Sequence, residues 1–424
     1  MPGGLEEEND GQNNSPLFPL DWNSLIFDEI PFSVGGSGAK LAPDPFFFSR
    51  KTLSFRVMKE TAAATFRDDR LIQGVRRNCM LASGVQAGYF SLCGLLLRLR
   101  QLYKWEHGLM PWQEPEPEPV LGWIEAQERA WESLEGQTWE HLTLGGERYD
   151  PLAIGEINER LLPRGLAYGA GFSRAMVPTC FLAELSEVRR EDNLTILVLD
   201  SELARDLEGT PALCQGNFIY VRRQALAYYL WERLTDPTRQ NSRFLKVALR
   251  AYHKSLEDLL GQSRGRPENF AILLEDVLEA VIHHEIGEAR ETSLGHSFSA
   301  LLELFPHTRI ELWLRALKDA LAEVNDWGRL AYLIRAKRLG ALALMLAWQP
   351  ALYPLILPEL APAFWELVRT GDWQVLEAAR QTALARLRQT AYTVRELVAS
   401  QKDTAPPATL QTALENRFLK PLGL

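Results

Sequence analysis

Val281-Ile-His-His-Glu-Ile-Gly-Glu-Ala-Arg-Glu-Thr292 is the stretch on which the reading of this chain turns. Apolar residues at helical spacing lead into it, from Phe270 through Leu273, Leu274, Val277, Leu278, Val281 and Ile282. The segment is therefore predicted to be the end of an amphipathic helix. On that helix His284 and Glu288, four residues apart, project from one face, and two ligands at this spacing can share one ion. Glu285 follows about 100° further round the same turn, placed to take a proton from water as a general base. Gly287, with no side chain, leaves room beside them for a substrate backbone.

The same residues have a plainer reading. Glu275, Glu279 and His283 stand in i, i+4 register, and histidines and glutamates near a helix end also make a solvated face. A ferritin-like di-metal bundle is disfavoured, because its Glu-x-x-His spacing is absent from this helix.

Upstream, Asn193 to Arg222 holds two β-rich runs, Thr195-Ile-Leu-Val-Leu-Asp-Ser201 and Gly216-Asn-Phe-Ile-Tyr-Val-Arg222, around a polar segment with Cys214. Phe218–Val221 is predicted to be an edge strand running past the helix that holds His284. This order of strand, Gly-initiated strand and His-Glu helix resembles the gluzincin zinc peptidases over about residues 193–330. Their His-Glu-x-x-His becomes His284-Glu285-x-x-Glu288 here. The resemblance implies a metal-dependent hydrolase, a divergent peptidase, with His284, Glu288 and Glu323 as ligands and Glu285 as base. It also implies a peptide or protein substrate paired along the second strand, and a helical insertion at residues 225–268.

Glu323, followed by Asp326, fits the later-helix ligand best, with Glu303, His307 and His296 as rivals. Glu311 is explained as part of a Thr308-x-x-Glu311 capping box. Carboxylate oxygen binds zinc at about 2.0–2.2 Å, so the loss of the second histidine does not abolish a site. A shell of one histidine and two glutamates would, however, neutralise a divalent ion and harden the site toward manganese or iron. Zinc is the first expectation, with manganese or iron as alternatives. As a whole the chain is also similar to an uncharacterised bacterial family of unassigned activity. The alternative function is a non-catalytic interaction or scaffold protein on a degenerate zincin-like fold. No Gly-x-Ser-x-Gly elbow and no motif-paired cysteine and histidine support nucleophilic catalysis.

At 424 residues, two or three domains are expected, and 46% hydrophobic with 24% charged residues is an ordinary soluble composition. A net charge of −9 argues against broad nucleic-acid or anionic-membrane binding. Four scattered cysteines, Cys79, Cys93, Cys180 and Cys214, with no Cys-x-x-Cys pair, fit a reduced interior. The N-terminus lacks the basic and apolar regions of a signal peptide, so a cytoplasmic protein is expected. The longest apolar run, Leu339 to Trp348, is half the ~20 residues of a membrane span and reads as a buried helix.

The predicted class is helix-dominated α+β, a small sheet packed on a zincin-like active-site helix with further helical regions. Residues 1–50 are read as a tail or arm and 51–145 as a helical N-terminal region, with helices near 57–84 and 86–105. Their arginines and lysines form a charged face neutralised by the acidic run that follows. Glu114–Pro119 is read as an extended spacer, and Leu121–Trp139 as a helix anchored by Trp123 and Trp131. Residues 146–330 form the α+β core, in which 162–172 is read as a glycine-rich loop and 179–190 as helical. Residues 331–424 form a C-terminal helical region ending in a long helix near 372–400.

Overall fold

The computed structural model describes residues 68–172, 177–261, 265–401 and 406–424. The arm at 1–50 and the start of the helix read near 57–84 lie outside the described residues. Three helices open the fold: α1 (Asp69–Ala87), α2 (Leu92–Glu106) and α3 (Pro117–Leu134). Asp68 starts α1 by accepting the Leu71 N–H at 3.2 Å. The acidic spacer meets part of the basic face, since Glu114 pairs with both Arg100 and Lys104. It is shorter than expected, because Pro117 opens α3, and proline suits a first helical turn. That helix ends at Leu134 rather than Trp139.

A two-stranded ribbon, β1 (Leu142–Leu144) with β2 (Glu147–Tyr149), precedes α4 (Ile154–Leu161). Five strands follow: β3 (Leu166–Phe172), β4 (Pro178–Glu191), β5 (Leu194–Arg205), β6 (Ala212–Gln215) and β7 (Phe218–Arg222). Their spatial order is β3-β4-β5-β7-β6, antiparallel except for the parallel β5–β7 pair. Two expectations fail here. Residues 162–172 are not a loop, because Leu166 onward pairs with β4, and Gly169 is small because the Phe181 ring lies where its Cβ would be. Residues 179–190 are not helical, because Phe181-Leu-Ala-Glu-Leu is held between β3 and β5. Tertiary pairing overrides the helix propensity of those residues.

A third correction concerns the substrate edge. Phe218–Val221 lies inside the sheet, with β5 on one side and β6 on the other. Register shifts between Leu182 and Glu187 bend β4 against β5. The sheet curls until Gln215 Nε2, on the far edge strand, donates to the Ala170 carbonyl of β3 at 2.6 Å. The outer edge of β3 is met by Asn158 of α4, whose amide exchanges hydrogen bonds of 2.8 and 2.9 Å with the Tyr168 backbone. Inside the curl sit Phe181, Leu197, Leu199 and Tyr220. The alternate residues Ile196, Val198, Ile219 and Val221 face outward into the main helical core.

That core is built from α5 (Arg223–Thr235), α6 (Pro237–Gln240), α7 (Arg243–Ala251), α8 (Leu256–Leu260) and α9 (Arg266–Arg290), the helices expected between the sheet and His284. It continues through α10 (His296–Leu304), α11 (Arg309–Val324), α12 (Arg329–Arg335), α13 (Leu339–Ala347) and α14 (Tyr353–Ile356). The chain closes with α15 (Leu360–Thr370), α16 (Trp373–Gln401) and α17 (Pro407–Leu414). The apolar run from Leu339 is α13, largely buried, and among the described residues no helix is long and apolar enough to cross a membrane. The class is thus helix-dominated α+β with a small curled sheet.

Candidate metal centre

The last turns of α9 lie across β6, β7 and α11, so the polar end of the helix is carried into the protein rather than out to solvent. Gly287 makes that approach feasible. A Cβ there would run into the Ala322 carbonyl and come to 2.8 Å from Gly328 Cα, while Asn325 Nδ2 donates to the Gly287 carbonyl at 2.8 Å. The space read as room for a substrate backbone is filled by the α11–α12 turn. Gly287→Ala is therefore expected to cost about 1–3 kcal/mol through overpacking. Urea unfolding checks this, and an unchanged midpoint would show that the helices do not meet as described.

The row read as a solvated face is used for packing. Glu275 pairs with Arg223, Glu279 takes the Arg189 fork at 2.7 and 2.9 Å, and His283 stacks on Tyr332 with ring centroids 4.1 Å apart. The next face over carries the cluster. Among the described residues, His284, Glu285 and Glu288 are the one group of metal-ligating side chains with ligand atoms all within 4.8 Å of one another. Glu323, on the penultimate residue of α11, brings Oε1 to 3.2 Å from His284 Nδ1. That nitrogen is buried, and the contact is an ion pair when His284 carries its proton.

Two cations complete the cluster, and sequence reasoning missed both. The Asn325–Gly328 turn folds α12 back so that Arg329 forks onto Glu323, with Nε donating to Oε2 at 2.8 Å and Nη2 to Oε1. Lys318 Nζ donates to Glu288 Oε1 at 2.5 Å. Asp319, next to Lys318 on α11, adds a further, half-buried carboxylate. Arg329 lies six residues beyond Glu323 across a turn, and that is the one local signal that could have found it. The rivals fall away: Glu303, His296 and His307 are exposed, and Glu311 caps α11 through the His307 N–H at 2.6 Å. Asp326 points out to Arg380 at 3.2 Å and takes no part.

Burial and charge set the protonation states. Burial pushes Glu285 up to about 7, with Glu288 adding to the effect and His284 opposing it. Burial lifts Asp319 to about 6. For Glu323 burial works upward, but Arg329 and His284 outweigh it and hold the carboxyl at about 2. Burial works against the His284 proton, yet Glu323 prevails and raises it to about 9. Glu288 is held below its usual range because Lys318 overcomes the cost of burial.

The His284 shift predicts a pH signature. Its folded value is raised, so its stabilisation is fully present below its ordinary value of 6.5 and is lost as pH rises through about 9. In chelator, the margin of the wild type over His284→Gln in thermal midpoint is expected to be largest near pH 6 and to shrink by pH 9.5. A margin constant across that range would show that His284 does not hold its proton in this way.

Comparison with protein families matches residues 70–222 to the N-terminal domain, and residues 227–417 to the C-terminal domain, of a family of unknown function (DUF6866). The two matches meet just after β7, inside the segment 146–330 that sequence reading kept together. No curated protein and no solved structure matches the chain. With both domains in order over most of its length, the chain belongs to that family of unknown function, DUF6866.

Proposed function

We propose that the protein is a metal-dependent hydrolase whose divalent ion, zinc first and manganese or iron next, is held by His284, Glu288 and Glu323, with Glu285 as general base. The observation that carries the reading is the convergence of His284, Glu285 and Glu288, whose ligand atoms lie within 4.8 Å of one another, with Glu323 Oε1 3.2 Å from His284 Nδ1. The two cations answer the charge problem raised by a His, Glu, Glu shell. Arg329 offsets Glu323 and Lys318 offsets Glu288, so these two ligands do not by themselves cancel the charge of an ion. A carboxylate has about four lone-pair sites, so Glu323 can accept from Arg329 and still donate to an ion. A bound divalent ion supplies Lewis-acid polarisation of the scissile group. Glu285, buried and titrating at about 7, is suited to accept a proton from water near neutral pH. Partial exposure of His284 and Glu288 leaves the centre accessible. The peptide version has lost its pairing edge, because β7 is interior, and the substrate is proposed only as an amide or ester.

One observation favours a second reading. Lys318 and Arg329 already balance the carboxylates without any ion, as a non-catalytic interaction protein on this scaffold would require. The test is release of product from a pooled peptide library and from nitrophenyl esters, by full-length protein stripped with chelator and then resupplied with zinc or manganese. Metal-dependent turnover supports the hydrolase. Release no faster than in protein-free controls under every metal sinks it and leaves the second reading.

A further inference from the structure

Cys79 on α1 and Cys180 on β4 are 101 residues apart in sequence, yet their Sγ atoms are 2.8 Å apart. Non-bonded carbon atoms, smaller than sulfur, sit best about 3.5–4.0 Å apart, so these two thiols are closer than ordinary packing brings atoms. Cys79 Sγ also donates to the Cys180 carbonyl at 3.1 Å, so the two residues meet through both side chain and backbone. Cys79 is 2% exposed and Cys180 fully buried, within the apolar patch of Leu71, Val75, Tyr168 and Leu182 between α1 and the sheet. The other two thiols stand elsewhere, Cys93 exposed on α2 and Cys214 half-buried on β6.

We propose that Cys79 and Cys180 form a disulfide under oxidising conditions, tying the first helix covalently to an interior strand of the sheet. The co-reactant is a small-molecule disulfide. Each protein thiol gives up its hydrogen, the Sγ–Sγ bond forms, and the two electrons and two protons reduce the small disulfide to two thiols. In the closed fold, burial, reinforced by the Asp206 charge, keeps both thiols protonated, so the reaction proceeds through opening of α1 from the sheet. The bond closes a loop of about a hundred residues, which restricts the unfolded chain and is expected to raise the thermal midpoint by about 5–10 °C.

The test uses the full chain incubated with oxidised glutathione, quenched in acid, alkylated in denaturant and digested without reductant. The expected result is one cross-linked species joining the Cys79 and Cys180 peptides, abolished by dithiothreitol together with the gain in midpoint. Cys180→Ala should show neither the cross-link nor a reductant-sensitive midpoint. Recovery of Cys79 and Cys180 as separate alkylated peptides overturns the proposal, whatever adducts Cys93 or Cys214 carry. So does a cross-link from Cys79 to either of those residues. If the alanine variant does not fold, the peptide map of the unaltered chain decides alone.

Discussion

Glu285→Gln is expected to lower any hydrolytic turnover by about 10²–10⁴-fold, the usual contribution of one general base. Glutamine keeps the shape and one oxygen but cannot accept the proton. Glu285 is 7% exposed and packed beside His284 and Glu288, so its amide should be accommodated without moving either neighbour. The variant should therefore keep the metal content of the wild type while losing the rate. A proton acceptor at about 7 also predicts that any turnover by the unaltered protein rises with pH through neutrality. Full activity in the glutamine variant would remove Glu285 from its role, whether or not an ion binds.

Arg329→Met should produce the largest loss of stability, about 3–5 kcal/mol, because removing one partner strands a buried charge. Glu323 is 1% exposed, and both of its oxygens accept from the Arg329 fork. Methionine fills much of the volume, so the effect should come from charge rather than a cavity. Its pH dependence separates the two causes. Glu323 in the wild type is held at about 2, so its stabilisation is present above its ordinary value of 4.5 and lost as pH falls toward 2. The variant should be furthest below wild type at pH 7, and the gap should be narrower at pH 4 and close only as pH approaches 2. Denaturant unfolding at the two pH values checks this. Equal stability at pH 7 would mean that Arg329 does not compensate Glu323.

What the sequence made legible follows from how locally each feature is written. The α9 helix, its convergence of His284 with Glu288, and the long closing helix α16 carry a 3.6-residue apolar period within one segment. Strand β4 does not advertise itself. Strands paired on both sides of a curled sheet are apolar on both faces, so Phe181-Leu-Ala-Glu-Leu shows no alternation and its leucines and alanine suggest a helix. Gly287 was recognised as a point of close approach, but a glycine does not say what approaches it, and the neighbour is the Ala322 backbone. Lys318 and Arg329 were invisible for a similar reason. A lone cation in a helix gains its meaning from a carboxylate on another element, and only packing brings Glu288 to the one and Glu323 to the other. Cys79 and Cys180, 101 residues apart, are the extreme case.

Whether the end of α9 holds a divalent ion, as proposed, is read by calorimetric titration of zinc into chelator-stripped full-length protein. The expected result is uptake of about one equivalent with a Kd of about 1 μM or tighter, weakened at least about tenfold in His284→Ala. No uptake with zinc raised to about 100 μM, or uptake unaffected by the loss of His284, would contradict it.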